Sequence, residues 1–382
     1  MVHNTRIYKV LVSSRFVGHR YGCQSDSSGN MRHGFDALTS LTFTSLHQLV
    51  ELVQMHLNKS SITGISLDAA GLVALADLSS IPERTALTGS ASIFDILFLA
   101  PGIHTQQKAS EINGGELPMT SAMTTGYVFR IENQATVNYL QKIGEPGSLV
   151  TVNVVKRGAC SPLLRPFSNL LAAGAIPSLL YFTGIFLTMT SLTILGAIRD
   201  YWAVGILLML ITARFLNTVV LMRRAQKGWK GAPESGVKGD LLVLLSQDRW
   251  VRMMGMVDDL KAVTAGQWLR DQTTVEGFAT AAATLIVYSA AALAGNSSKV
   301  GSLIIATLLL VSVGLLGLCN ALTRDLQMYE YKVHVATEPK KYSRRLDMAN
   351  DLIEETDRDD WAIGMGLILA PSGTSTQPRI PP

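Results

Sequence analysis

Cysteine, charge and catalytic motifs are all sparse in this chain. Its three cysteines, Cys23, Cys160 and Cys319, lie far apart among 382 residues, a spacing that builds neither a disulfide framework nor a zinc site. Charged residues make up 16% of the sequence and the formal net charge is +4, too mild and too scattered for a nucleic-acid surface. The sequence holds no GxSxG elbow, no HExxH pair, no GxxxxGK[ST] loop and no GxGxxG turn after a strand. That removes the common hydrolase, metalloprotease and nucleotide-binding readings, so no catalytic residue is assigned. The histidines His3, His19, His33, His47, His56, His104 and His334 share no ligand spacing, and neither metal nor cofactor is expected. Adjacent residues on a helix diverge, so the pairs Asp258/Asp259 and Asp359/Asp360 read as helix-start charge. Near the N-terminus, Arg15, His19 and Arg20 interrupt the apolar stretch before an h-region forms, which argues against a cleavable signal peptide.

What the chain has in quantity is apolar sequence, and it is unevenly placed. Windows of about 20 residues put membrane spans at 178–198, 202–222, 277–295 and 301–322. Two tight hairpins follow, through "RDYW" and "NSSKV", with a long charged loop at 223–276 between them. The expected fold class is an α-helical membrane protein: four transmembrane helices with small cytoplasmic α+β segments. Its regions are 1–165 (N-terminal, α+β), 166–322 (membrane), 323–370 (a strand and an amphipathic helix) and 371–382, a Pro/Ser/Thr-rich tail expected to be disordered.

Orientation follows from the lysine and arginine bias. One side collects Lys156, Arg157, Arg165, Arg223, Arg224, Lys227, Lys230, Arg324 and Lys332; the other has Arg199 and Lys299. Both termini are therefore expected in the cytosol. The third span is rich in small residues, with Ala279 and Ala283, then Ala290 and Ala294, each four apart. Small residues let helices approach closely, so this span is expected to be the central packing helix or a homo-oligomer face.

Outside the spans, 35–57 has helical periodicity, 126–157 has β-rich runs broken by "GEPGS", and 239–256 suggests two short strands around "SQDR". A helix should follow, carrying Val257, Leu260, Val263 and Trp268 on its apolar side. Trp268, with the cations Arg223, Arg224, Lys227 and Lys230, fits a segment lying on anionic lipid. After the last span "YEYKVHVA" alternates like a strand, and the helix beyond it should turn Leu346, Ala349, Leu352 and Ile353 inward.

The stretches "LLVLLSQDRWVRMMGMVDDLKAVTAGQWL" and "RRLDMANDLIEETDRDDWAIGMGLI" resemble segments of uncharacterised multi-pass membrane proteins of filamentous fungi, over about residues 115–365. The resemblance implies a shared membrane topology and carries over no activity or functional residue.

One anomaly remains. Arg214 lies within the second span, with Asn217 one turn later, about 12 Å from the Met222 boundary by helical rise. An ionisable group at that depth marks a structural pin or a pathway. Glu276, at the entrance of the third span, is the nearest carboxylate in the membrane region, and Thr280 and Thr284 fall at comparable depth. As a pin, Arg214 would snorkel or pair with Glu276; as a site, Arg214, Asn217 and Glu276 would meet a substrate or anion. The functional expectation is a non-enzymatic membrane scaffold or interaction protein. Its alternative is an oligomeric transporter or channel using Arg214.

Overall fold

A computed structural model describes residues 69–76, 78–102, 109–157, 174–226 and 228–369. The helix expected at 35–57, the tail from 371 and Lys227 lie outside the described residues. The described chain starts with α1 (Ala69–Ala74), α2 (Ser80–Thr88), a 3-10 turn at Ile93–Leu97 and α3 (Ala109–Ile112). Strands β1 (Met119–Ala122) and β2 (Val128–Arg130) form a hairpin. Next come α4 (Gln134–Ile143) and β3 (Ser148–Lys156). Asn133 starts α4 by accepting the Thr136 N–H at 3.1 Å, a side-chain cap that satisfies one orphan donor of the first turn.

The long apolar runs become α5 (Ala175–Ala197) and α6 (Tyr201–Arg224). Arg199 takes a left-handed φ of 59° between them, and Asp200 caps α6 through the Ala203 N–H. Strands β4 (Lys238–Leu245) and β5 (Arg249–Met256) then pair around "SQD", as expected, and α7 (Val257–Thr264) follows. The second pair of apolar helices is α8 (Thr274–Leu293) and α9 (Lys299–Leu322), joined through a 3-10 turn at Ala294–Asn296. Among the described residues, four helices are thus long and apolar enough to cross a membrane, within a few residues of the expected windows. The chain continues through β6 (Leu326–Met328), β7 (Tyr331–Val335), β8 (Lys340–Lys341), α10 (Arg345–Thr356) and α11 (Asp360–Gly364).

All eight strands join one sheet, in the order β2-β1-β4-β5-β3-β7-β6, with β8 also on β3. Only β3 and β5 run parallel; every other pairing is antiparallel. The registers Val152↔Val335 and Leu149↔Lys340 differ by two residues, so β8 resumes the pairing of β7 along β3 after two extra residues, with Pro339 in the interruption, where a missing N–H costs least.

One face of the sheet, with Val150, Val152, Leu241, Val243, Val251 and Met253, packs on α2, α4, α7 and Trp268. The opposite face, with Leu149, Leu242 and Trp250, is covered by Met348, Leu352 and Trp361 of α10 and α11. Of the residues expected inward, Leu346 is 48% exposed, whereas Ala349, Leu352 and the half-buried Ile353 face the core together with Met348. A third core fills the helical bundle. The third span is not its centre. Only 22% of the α8 window is buried against 50% for α6, because α8 turns just Glu276, Ala283, Val287 and Ala290 fully inward.

Candidate functional site

The anomaly in α6 is resolved by a segment that reads as ordinary soluble sequence. The 3-10 turn opens with a capping box: Ser92 accepts the Phe94 N–H, and the Asp95 carboxylate accepts the Ser92 N–H at 2.6 Å. This compact turn packs against α5 and α6. It presents the Asp95 carbonyl to Arg214, whose Nε donates to it at 2.9 Å. The other carboxylate oxygen of Asp95 accepts the Tyr181 hydroxyl of α5. Phe98 stacks on Tyr181 with ring centroids 5.0 Å apart, over Gly184, where any Cβ would collide with the Phe98 ring.

Arg84 completes the cluster from α2. Its Cζ stands 5.4 Å from the centre of the Tyr181 ring, and one terminal nitrogen donates to Thr323 Oγ1 at 3.3 Å. The other has no hydrogen-bond partner. Arg84, Asp95, Tyr181 and Arg214 are each at least nine-tenths buried. Two guanidinium groups, one carboxylate and a phenol are thus gathered in one buried cluster, where polar contacts are strong and an unmade one is costly. Asn217 is also buried beside Thr218, and Asn320 Nδ2 donates to the Ser80 carbonyl at 2.8 Å. In physical terms the arrangement is a clamp that ties segment 80–98 to three of the four long helices.

The expected partner of Arg214 is corrected accordingly. Glu276 forms a bidentate pair with Arg270, at 2.5 and 2.8 Å, and caps α8 through Thr273. Its carboxylate is thus spent at the helix mouth. Thr280 and Thr284 donate to carbonyls one turn back in α8. Arg214 and Glu276 therefore have different partners, the Asp95 carbonyl and Arg270.

The lipid-surface set is also revised. Trp268 is fully buried, and its indole N–H donates to the Gly89 carbonyl at 2.8 Å; it closes the sheet core because a large ring with one satisfied donor suits an interior. Arg224 is buried too, with Nε on the Arg270 carbonyl at 2.9 Å. Arg223 and Lys230 are exposed. The tryptophan exposed near these cations is Trp229, at 82%, just past the end of α6. A tryptophan within a few residues of a span end, beside lysine and arginine, was the available signal.

Elsewhere, Asp258 accepts the Glu234 N–H at 2.8 Å, consistent with a helix-start role. On the sheet, burial alone would lower the Arg252 guanidinium, but hydrogen bonds to Asp240 and Glu355 outweigh it and hold the group above its ordinary range. Burial also pushes the Tyr329 hydroxyl up to about 12. Comparison with protein-family models, curated proteins and solved structures returned no match.

Proposed function

We propose that the protein is a multi-pass integral membrane protein whose bundle holds the sheet and its flanking helices against the cytosolic face as a non-enzymatic scaffold or interaction module. One observation carries the membrane reading: the outward surfaces of the four long helices are apolar along their length. Leu179, Phe186, Leu208, Phe215, Phe278, Leu285, Leu310 and Leu318 are all exposed, where water would disfavour them and lipid would not. Tyr201 and Trp202 at one end, with Trp229 at the other, fit the aromatic belts of a bilayer. Lysine and arginine near the helix ends favour the sheet side as cytosolic, with Arg223, Lys230 and Trp229 on anionic headgroups. The scaffold reading is supported by Arg214, 5% exposed and bonded to the Asp95 backbone. That engagement favours a pin over the pathway residue of an oligomeric transporter.

The membrane reading is tested by alkaline carbonate extraction and impermeant thiol labelling of the full chain in sealed vesicles. Cysteines replace exposed Asn296 and Glu338 in a background of Cys23→Ser, Cys160→Ser and Cys319→Ala. The expected result is retention in the membrane pellet, with Glu338→Cys labelled from the cytosolic side and Asn296→Cys from the other. Release by carbonate, or labelling of both positions from one side, would overturn it.

A further inference from the structure

The two ends of the bundle are chemically marked. At the end away from the sheet, the Asp200 carboxylate accepts the Ser298 N–H at 2.9 Å and packs on Gly301, tying the two helical hairpins together. At the sheet end, Lys142 donates to the Asn320 carbonyl at 2.6 Å and Arg224 to Arg270. Against these markers the short α1 is far from the sheet. Gly71 backs onto Ala291, where a Cβ would come 2.7 Å from the carbonyl oxygen. Gly71 and Ala74 also border Ile206, Ala290, Ala294 and Ile305. Ala291 lies about 25 Å along α8 from its sheet-side start at Thr274, at ~1.5 Å per residue, and α1 also touches the 3-10 turn Ala294–Asn296 at the far end. Nine residues after Gly71 the chain is at the other end, where the Ser80 carbonyl bonds Asn320 and Arg84 reaches Thr323.

We propose that residues 69–79 are a fifth crossing of the apolar layer, so that the chain reaches Ala69 from the face carrying the Asp200–Ser298 contact, opposite the sheet domain. This rests on the membrane reading above. The dimensions fit: Ile305, which borders α1, and Asn320, which meets Ser80, lie fifteen residues apart on α9, about 22 Å at ~1.5 Å per residue and most of the ~30 Å hydrocarbon thickness. So does the composition: 69–76 is uncharged, and the one charge inside the crossing, Asp77, falls three residues before the Ser80 contact at the sheet end. Non-helical backbone at membrane depth is tolerated where protein encloses it, and here Gly71 and Ala74 are buried while Val73 and Leu75 pack into the bundle core. The alanine surface of α8 has its occupant within the chain: small residues at 290, 291 and 294 admit α1 at backbone distance.

The test adds Lys59→Cys and Asp68→Cys to the thiol series, with reagent applied from each side in turn. The expected result is that both label from the Asn296 side alone. Labelling from the Glu338 side, or from neither, would overturn the fifth crossing, because a chain leaving the bundle at the far face must meet water there. Should Asn296→Cys and Glu338→Cys themselves label from one side, the membrane reading fails instead, so the two failures are distinct.

Discussion

Replacing Arg214 by methionine keeps length and apolar contact while deleting the guanidinium. The direct loss is one charge-assisted hydrogen bond, Nε to the Asp95 carbonyl at 2.9 Å, worth about 1.5–3 kcal/mol. The Asp95 carbonyl, on a residue 8% exposed, is left without that donor, which adds the desolvation cost of a buried acceptor. A total near ~3 kcal/mol is expected, or about 6–12 °C in thermal midpoint at ~2–4 °C per kcal/mol. Thermal unfolding in mild detergent measures it, in two double-mutant cycles. Arg214→Met with Tyr181→Phe should deviate from additivity by at least ~0.5 kcal/mol, because both residues hold Asp95. Arg214→Met with Glu276→Gln should add within about 0.3–0.5 kcal/mol, since Glu276 belongs to Arg270. The reverse pattern, coupling to Glu276 and additivity with Tyr181, would refute the clamp.

Trp268→Phe should lower stability by about 1–2 kcal/mol through the lost bond to Gly89 yet leave the quenching of tryptophan emission by brominated anionic lipid intact; Trp229→Phe should reduce that quenching and leave stability unchanged, and equal loss of quenching for both would contradict the reassignment. Gly184→Leu should dislodge Phe98 and expose segment 92–98 to protease, whereas an unchanged digestion pattern would mean that the ring is not seated there. Acid should loosen the C-terminal helices. Asp351, Glu355 and Asp360 are held below the ordinary carboxylate range by hydrogen bonds from Lys340, Arg252 and Arg358 respectively. A depressed folded value stabilises above the unfolded pKa of ~4 and is lost as pH falls through the folded value. Amide exchange across 345–364 should therefore gain protection-breaking openings below about pH 4 and none between pH 6 and 8; uniform protection down to pH 2 would count against it.

The four long helices were legible because length and apolarity are local properties, and the β4–β5 hairpin because the polar "SQDR" separates two apolar runs. Helix α4 was missed although Asn133 caps it, since the β-rich residues on either side dominated the reading. The sheet was illegible for a different reason: β3 pairs with β5 and β7, and no periodicity in one strand names a partner lying beyond two or four apolar helices. The same applies at the clamp. Arg214 announced itself as a cation in an apolar run, but Asp95 lies 119 residues earlier in a stretch with no membrane signature. Trp268 misled because a tryptophan near cations has one meaning at a lipid surface and another in a core, and burial decides.

The sheet draws β1–β3 from before the first long helix, β4 and β5 from between the helical pairs, and β6–β8 from after the last. During synthesis the edge of β3 waits for β7, so Val152 and Val154 stay uncovered until all four helices have left the ribosome. A chain arrested or cut after Leu322 would carry a complete set of apolar helices beside an unfinished sheet, with an open strand edge of the kind that recruits chaperones or pairs with another copy. Completion of the sheet thereby reports completion of the four apolar helices, and quality control would have one strand edge at which to read it.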